Sequence, residues 1–344
     1  MSKLYLIREK PTKFGGAEVY LSRLAKALSS NGIEYKIVHS LFPKFLPSWL
    51  RIILFNMQVC LTKGEKFYFS LERIICSDVY RAGDGVHKIF LSTENKSKFN
   101  PLHPVYLFLE RRCFNNAKYI IANSHMVKNE IIKTYGVDSH KIDVVYNGIQ
   151  SKEINYARSY KKISREFDLE PDIPIILYVG SGFKRKGVEE FLRIFSKINT
   201  RCQAFIIGKE KKISDYQKLS NDLGVDDRVV FTGSRIDVED FYTISDIFLL
   251  PTHYEPFSNA VLEAMAYGNA VFTTKQNGAH EILSEEYIMV NPGDFSVIDR
   301  IDSLLTDKDT LRSTKKNNQL IAAKLSIKTN MLQTLDIIKK AKND

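Results

Sequence analysis

Two glutamates, Glu255 and Glu263, are the residues of this sequence best suited to hold a polar ligand. Seven residues separate them, and they bracket the start of a predicted helix. Carboxylates accept hydrogen bonds, so one could bind the hydroxyls of a hexose while the other binds those of a ribose. If helical spacing held between them, they would lie roughly on one side of the helix, ~12 Å apart. The pair therefore predicts a site for a sugar nucleotide.

The residues around this pair predict where the site lies in the fold. The apolar run from Asp246 to Pro251 is typical of a buried strand, and open α/β sheets bind ligands at the carboxyl ends of their strands. The helix that follows opens with Phe257, Ser258 and Asn259. Its unpaired backbone N–H groups could face an anion such as a diphosphate. For two glutamates alone, a surface loop with an ordinary amphipathic helix is the alternative.

A basic loop from Gly180 to Gly187 follows one predicted strand and precedes a helix. A P-loop would require Lys and then Ser or Thr after the last glycine, but Val188 stands there. A dinucleotide fingerprint fails as well, because its third glycine is misplaced. What remains is Lys184, Arg185 and Lys186, which suit the neutralisation of a leaving diphosphate. A solvated basic turn is the alternative.

Three further turns could border a ligand. Gly15 and Gly16 join the first strand to a helix, where glycine lets backbone N–H groups approach a ligand closely. Asp84 lies between two glycines with His87 three residues on, although Asp-Gly is also common in exposed turns. The third turn, from Gly233 to Asp237, follows a predicted strand and opens a helix that Asp237 could cap.

The elements that must position these residues alternate between short apolar runs and helical patterns, which predicts an α/β fold with two domains of parallel strands. The 344 residues suit two cores. We expect domains at 1–155 and 156–325, with a helix at 326–344 and a hinge within 150–174. The predicted strands run from Leu4 to Ile7, Tyr35 to Val38, Lys66 to Ser70, Tyr119 to Ala122, Ile142 to Val145, Ile175 to Val179, Ala204 to Ile207, Val229 to Thr232, Ile247 to Leu250 and Val271 to Thr273.

The paired glutamates resemble a motif of the family 4 retaining glycosyltransferases. Four more segments follow in the order of that family, and the likeness covers nearly the whole chain. These segments are Phe14 to Gly16, Asn147 to Gly148, Gly180 to Gly187 and Gly233 to Asp237. Two segments, Gly180 to Val188 and Asp78 to Asp84, are most similar to the branch that builds the lipopolysaccharide core. The resemblance implies two Rossmann-like domains facing across a cleft, the GT-B architecture, with acceptor bound by the first and nucleotide sugar by the second. It also implies that the helix at 326–344 crosses back to the first domain.

The resemblance also implies a reaction and a set of site residues. The expected reaction moves a hexose, glucose by expectation, from a UDP-sugar to an acceptor hydroxyl of the lipopolysaccharide core; a polyprenyl-linked oligosaccharide or another envelope glycan is the alternative acceptor. The catalytic residues it implies are Glu255, Asp84, Arg185 and Lys186. The donor-binding residues it implies are Gly15, Gly16, Arg185, Lys186, Arg235, Ile236, Glu255, Pro256, Phe257, Ser258, Asn259, Ala260 and Glu263. Within this set, Arg235 and Ile236 would lie near uracil and Glu263 would bind the ribose. A sugar-nucleotide epimerase or a pyridoxal-dependent phosphorylase on the same fold is disfavoured by the paired glutamates.

No cofactor and no metal are expected. Asp307 and Asp309 have the one-residue spacing of a metal-binding aspartate pair, but no strand precedes them, so helix capping is the preferred interpretation. The seven histidines show no paired ligand spacing on a helix.

The net charge of +10 indicates an anionic partner: nucleic acid, an acidic membrane or a phosphorylated substrate. A nucleic-acid-binding protein is disfavoured, because the basic residues are not interleaved with aromatics on one element. The segment from Leu41 to Lys66 is apolar with flanking lysines and Trp49, yet too short to span a bilayer. It is either a core helix or an interfacial helix on an anionic membrane, with a slight preference for the latter.

Four widely spaced cysteines, Cys60, Cys76, Cys113 and Cys202, are expected to be reduced thiols of a cytosolic protein. The residues from Lys3 to Arg8 predict a first strand and no signal peptide. We therefore expect a cytoplasmic protein bound to the inner face of the cytoplasmic membrane, with a UDP-sugar, a lipid-linked glycan and an anionic membrane surface as partners.

Overall fold

The computed structural model describes residues 3–10, 16–94, 100–150, 153–167, 169–170 and 172–343. It divides into one unit of Met1–Gly148 with Ile327–Asp344 and a second of Ile149–Ser326. Each unit contains one six-stranded parallel sheet. The predicted α/β fold class is confirmed, whereas the predicted domain boundaries and roles stay predictions.

In the first unit the sheet has the order β2-β1-β3-β4-β5-β6. Short apolar runs form its strands because parallel strands are covered by helices on both faces; all four residues of β4 are buried. The strands are β1 (Leu4–Ile7), β2 (Tyr35–Val38), β3 (Phe67–Ser70), β4 (Val79–Ala82), β5 (Tyr119–Ala122) and β6 (Ile142–Val144). The helices between them are α1 (Gly16–Ser30), α2 (Ser48–Leu61), α3 (His87–Glu94), α4 (Leu102–Asn116) and α5 (His125–Tyr135).

In the second unit the sheet has the order β12-β11-β10-β7-β8-β9. This is the Rossmann strand order, and it reverses between β7 and β10, where such folds bind ligands. The strands are β7 (Ile175–Val179), β8 (Gln203–Ile207), β9 (Val229–Gly233), β10 (Ile247–Leu250), β11 (Ala270–Thr274) and β12 (Ile288–Met289). The helices are α6 (Tyr156–Ile163), α7 (Phe183–Lys186), α8 (Val188–Phe195), α9 (Ile213–Asp222), α10 (Val238–Ile244), α11 (Asn259–Ala266), α12 (Val297–Thr306) and α13 (Lys308–Lys324).

The last helix, α14 (Ile327–Asn343), belongs to the first unit although it follows the second in the chain. Its apolar residues Met331 and Leu335 are buried in one cluster with Leu24 and Leu28 of α1. The hydroxyl of Tyr20 on α1 also lies 2.9 Å from that of Thr334. The helix predicted at 326–344 is observed to begin one residue later, at Ile327.

Three segments contain secondary structure that the sequence did not predict. The expected hinge contains α6, whose Ile163 is fully buried and whose Ser159 hydroxyl donates to the Asp240 carboxylate on α10 at 2.6 Å. The helix forms here because one of its faces packs on the second unit. The strands β4 and β12 were not predicted, the first because it carries Arg81 in an otherwise apolar run.

The prediction of four reduced cysteines is wrong for two of them. Cys60, in the last turn of α2, and Cys76, in the loop after β3, form a disulfide with a Cα–Cα distance of 5.7 Å. Their distance in the sequence gives no signal, because only the packing of α2 beside that loop brings them together. Cys113 and Cys202 are free and buried, and burial raises the pKa of each thiol to about 12.

Candidate functional site

The loops after β7 and β10 meet at the point where the strand order of the second unit reverses. The carbonyl oxygen of Arg185 accepts hydrogen bonds from the backbone N–H of His253 at 2.9 Å and from the hydroxyl of Thr252 at 3.1 Å. The basic loop is therefore tied to the segment that follows β10. This is the edge of the sheet at which the sequence predicted a ligand site.

A glycine permits this meeting of two backbones. Gly187 has a φ of +76°, and a Cβ atom at that position would lie 1.8 Å from the carbonyl oxygen of Pro251. Both the left-handed backbone and the close approach require the absence of a side chain. Gly187 thus fixes Arg185 and Lys186 beside the residues after Pro251.

Glu255, Arg185 and Lys186 form a group of ion pairs, which we call the Glu255 cluster. Its Oε2 lies 2.8 Å from Nη1 of Arg185 and 3.3 Å from Nζ of Lys186. The side chains of Glu255 and Lys186 are only 17% and 15% exposed. Burial alone would raise the pKa of Glu255, but the charges of Lys186 and Arg185 hold it below its ordinary value. The cluster therefore combines one carboxylate and two cations, with a net positive charge suited to an anion.

Glu255 lies in the segment before α11 and not on a helix, so the condition of helical spacing between the two glutamates is not met. Its backbone N–H donates to the carbonyl of Gln276 and its own carbonyl accepts from Gly278, both at 2.9 Å. This short parallel bridge holds the segment extended, and α11 begins four residues later. A hydrogen-bonded partner far along the chain thus fixes the backbone at Glu255.

Some of the backbone N–H groups at the start of α11 already donate hydrogen bonds to side chains of the protein. The hydroxyl of Ser258 accepts from the N–H of Val261 at 3.4 Å, so Ser258 is the N-cap. The side-chain oxygen of Asn277 accepts from the N–H groups of Ser258 and Ala279, each at 3.1 Å. Of the predicted donor residues here, Asn259 is exposed and Pro256, Phe257 and Ser258 are buried, whereas Ala260 is half-buried.

Glu263 lies on α11, half-buried, and accepts a hydrogen bond from the hydroxyl of Tyr242 at 3.2 Å. Burial, followed by the charge of Glu263, raises the pKa of Tyr267 to about 12. The two tyrosine rings stack with centroids 5.7 Å apart. Glu263 is thus held against an aromatic pair that the sequence analysis missed, because no motif linked the two tyrosines to it.

Arg235 and Ile236 were predicted to lie near uracil. In the structure, Arg235 is ion-paired and Ile236 faces solvent. The guanidinium of Arg235 binds the carboxylates of Glu166, at 2.7 Å, and Asp237, at 2.9 Å. Ile236 is fully exposed. The prediction that Asp237 caps α10 is wrong, because its side chain makes no capping bond and instead pairs with Arg235 and Lys162, which lower its pKa.

Those predicted residues of the first unit that the structure describes lie at or near the starts of α1 and α3. Gly15 lies outside the described residues, and Gly16 is the first residue of α1. Asp84 is exposed in the turn after β4, and the next residue, Gly85, has a φ of +68°. His87 begins α3, and burial together with the charge of Arg73 lowers its pKa to about 4.

The aspartate pair considered for a metal serves a helix. Asp307 is the N-cap of α13, and its side chain accepts from the N–H groups of Asp309 and Thr310. The preferred interpretation as a cap is confirmed. Within the described part of the chain, no group of three or more His, Cys, Asp or Glu residues could hold a metal ion. The expected independence from metals and cofactors stays a prediction.

Two other residues of the second-unit site escaped the sequence analysis. Asn277, described above, comes long after Glu255 in the chain, so no local pattern pointed to it. Tyr178, on β7, is fully buried, and its hydroxyl has no hydrogen-bond partner among the described residues. A Cβ atom on Gly180 would lie 3.4 Å from both that hydroxyl and Nζ of Lys186, so the phenol lies directly below the basic loop.

Comparison with known proteins agrees with this geometry. A family model described as "Glycosyl transferases group 1" matches residues 159–321, and one described as "Glycosyltransferase Family 4" matches residues 82–153. The two models together cover more than half of the chain. An uncharacterized glycosyltransferase of Methanocaldococcus jannaschii, MJ1607, is 32% identical over 174 residues, which are 48% of this chain and 45% of that protein. The chain spans about half the length of the curated relatives it matches.

Solved structures show the same architecture. WaaG, a glycosyltransferase involved in lipopolysaccharide biosynthesis, matches with a TM-score of 0.80 and 18% identity over 97% of this chain and 99% of that chain. Anabaena Alr3699/HepE in complex with UDP and glucose matches with a TM-score of 0.77 and 18% identity over 98% and 99%. At these identities the likeness shows the fold, and the GT-B architecture is confirmed. The chain belongs to the glycosyltransferases of group 1.

Proposed function

We propose that the protein is a retaining glycosyltransferase that moves a hexose, glucose in the first instance, from a UDP-sugar to an acceptor hydroxyl of the lipopolysaccharide core. The observation that carries this proposal is the Glu255 cluster at the reversal of strand order in the second unit. A site with two cations and one carboxylate can hold a diphosphate and a polyhydroxylated sugar side by side. A lipid-linked oligosaccharide is the alternative acceptor.

In this mechanism the protein positions the reactants and stabilises charge. Arg185 and Lys186 stabilise the negative charge that develops on the departing UDP, in surroundings where water is largely excluded. Glu255, once the diphosphate shares its two cations, accepts hydrogen bonds from the sugar and orients it. Glu263 binds the ribose hydroxyls, and Asp84 faces the acceptor.

The comparisons support the choice of donor and of acceptor class. The structure of Anabaena Alr3699/HepE, which shares this fold, contains UDP and glucose. WaaG, of the same fold, is described as involved in lipopolysaccharide biosynthesis. Both descriptions fit a UDP-sugar donor and a cell-envelope acceptor for this chain.

A calorimetric titration with UDP in the presence of a chelator tests the proposal. We expect saturable binding without divalent metal, because Arg185 and Lys186 supply the positive charge that a metal would otherwise provide. A panel of UDP-sugars with heptosylated lipid acceptors then identifies donor and acceptor, and the anomeric configuration of the product reports retention. Absence of UDP binding with and without Mg²⁺ would contradict the proposed site.

We further propose that the first unit binds an anionic membrane surface, which would hold the enzyme at a lipid-linked acceptor. None of the helices in the described ranges has the length and apolar composition needed to cross a membrane. The helix α2 packs one face in the core, through Ile52, Phe55 and Val59. Its other face and α4 border an apolar groove of about 680 Å³. The core-helix alternative describes the buried face of α2, and we propose the interfacial role for its other face.

The rim of this groove combines exposed apolar and basic side chains. Leu61 on α2 is 82% exposed and Phe108 on α4 is 58% exposed. The guanidinium of Arg112 lies 5.7 Å from the centre of the Phe108 ring. Apolar side chains beside cations are typical of surfaces that bind anionic lipids.

Substitution of Leu61 or Phe108 by glutamate should weaken binding to vesicles of phosphatidylglycerol and phosphatidylethanolamine. Burying one such side chain is worth about 2 kcal/mol, so we expect affinity to fall at least about tenfold. Leu320→Glu is the matched control, since Leu320 is 56% exposed but lies on α13 of the second unit. Co-sedimentation measures the effect, and equal binding by all four proteins would refute the surface.

A further inference from the structure

A fully buried carboxylate, Glu110 on α4, anchors the beginning of α3. Its two oxygens accept four hydrogen bonds: from Nε of Arg73 at 2.9 Å, the N–H of His87 at 2.7 Å, the N–H of Lys88 at 3.4 Å and the hydroxyl of Tyr135 at 2.6 Å. The helix α3 has no buried residues of its own. Its start is held by these polar contacts to Glu110, together with the packing of half-buried Ile89 against the core of the first unit.

Arg73, which is ion-paired with Glu110, also supports the turn before α3. Nη2 of Arg73 donates to the carbonyl of Gly85 at 3.3 Å. On the other side of the turn, Nδ2 of Asn123 donates to the carbonyl of Gly83 at 3.0 Å. The backbone is thus held by side chains immediately before and after Asp84, whose own side chain is exposed.

Removing the charges of Arg73 and Glu110 from water costs free energy, which indicates a role for the pair other than stability. Arg73 is only 10% exposed, and its guanidinium lies over the ring of Tyr106 at 5.2 Å. Burial would lower its pKa, but Tyr80 and Glu110 raise the pKa well above the ordinary value, so the guanidinium stays charged. Buried ion pairs contribute little net stability compared with apolar residues of similar size. Their rigid, directional contacts instead fix the geometry of the groups that they hold.

We infer that Arg73 and Glu110 are positioning residues for the reaction and act through Asp84. They hold the turn from Gly83 to His87 so that the exposed carboxylate of Asp84 is fixed in advance for the acceptor hydroxyl. The inference rests on the proposed function. It adds two residues, from the loop after β3 and from α4, that no motif of the sequence pointed to.

A double-mutant cycle with Asp84 separates this role from a purely structural one. We expect Glu110→Gln to lower kcat on the order of 10- to 100-fold, the range that a displaced supporting group costs, while the Kd for UDP stays unchanged. In an Asp84→Asn background the same substitution should lower kcat less than about twofold, since residues that act as one unit are not additive. Additive losses would overturn the inference.

Amide hydrogen exchange by mass spectrometry tests the anchoring without reference to activity. In Glu110→Gln we expect faster exchange in the peptide containing residues 83–88, with the rest of the first unit unchanged. Arg73→Lys keeps the charge, but a lysine cannot reach both Glu110 and Gly85, so we expect the same local increase in exchange. This variant replaces Glu110→Gln if that protein does not fold. Unchanged exchange in both variants would refute the anchoring. A wild-type protein that neither binds UDP nor transfers sugar would refute the proposed function instead, and this exchange result would still stand.

Discussion

Replacement of Glu255 by glutamine is expected to lower the rate of sugar transfer by about 10²- to 10³-fold while the protein stays folded, a loss comparable to removal of one preorganised polar contact in other enzymes. Glutamine keeps the shape of the side chain but removes the charge between Arg185 and Lys186. The sugar loses its anionic hydrogen-bond acceptor. Affinity for UDP should not fall, because both cations are then free to face the diphosphate.

Steady-state kinetics with a UDP-sugar, together with calorimetric binding of UDP, measures this separation. The matched control is Glu189→Gln on α8, which removes an exposed carboxylate whose partner is Arg193, one turn away. The control should transfer sugar at the wild-type rate. A Glu255→Gln enzyme with undiminished transfer would remove Glu255 from the mechanism.

The same substitution should change the dependence of stability on pH. The pKa of Glu255 is lowered in the folded protein. Its stabilising contribution is therefore present above the ordinary pKa of a glutamate and is lost as pH falls through the folded-state pKa. Glu255→Gln lacks this acid-labile contribution, so its free energy of unfolding should fall less than that of the wild type at acidic pH.

Substitution of Gly187 by alanine is expected to lower the free energy of unfolding by roughly 2–5 kcal/mol. Left-handed backbone costs a non-glycine residue about 1–2 kcal/mol, and forcing an extra carbon into packed surroundings costs about 1–3 kcal/mol more. At Gly187 the added carbon meets a backbone carbonyl at 1.8 Å, which cannot rotate away as a flexible side chain could.

Gly182→Ala is the matched comparison, because Gly182 has a similar φ of +75° but no atom within 4 Å of the added carbon. We expect Gly182→Ala to lower the free energy of unfolding only by the cost of the left-handed backbone, about 1–2 kcal/mol. Chemical denaturation of the three proteins measures both losses. Equal losses at the two positions would show that the contact with Pro251 does not constrain the loop.

Much of the fold could be predicted because parallel strands leave a strong signal. The runs from Leu4 to Ile7 and from Ile175 to Val179 were predicted at their observed bounds, since strands covered on both faces are continuously apolar. The strand β4 gave no such signal because Arg81 interrupts it, and its guanidinium lies over Tyr20 of α1 in the folded chain. A buried cation of this kind depends on a partner that sequence alone does not supply.

The candidate site was predictable in its residue types but not in its contacts. Glu255, Arg185 and Lys186 each belong to a segment with a visible pattern, yet their meeting depends on the approach of Gly187 to Pro251. The bridge that holds Glu255 extended depends on residues 276–278, a part of the chain with no motif. Pairings between distant segments are set by tertiary packing, and this is where the sequence-based expectations failed.

The position of α14 in the chain has a consequence for synthesis on the ribosome. The first unit lacks Met331, Leu335 and Ile338 of its core until the whole second unit has been translated. Domains generally fold in the order in which they emerge, but here the unit that begins first is completed last. The growing chain therefore carries an uncovered apolar surface on α1 throughout translation of the second unit, and it is this intermediate that a chaperone would have to protect.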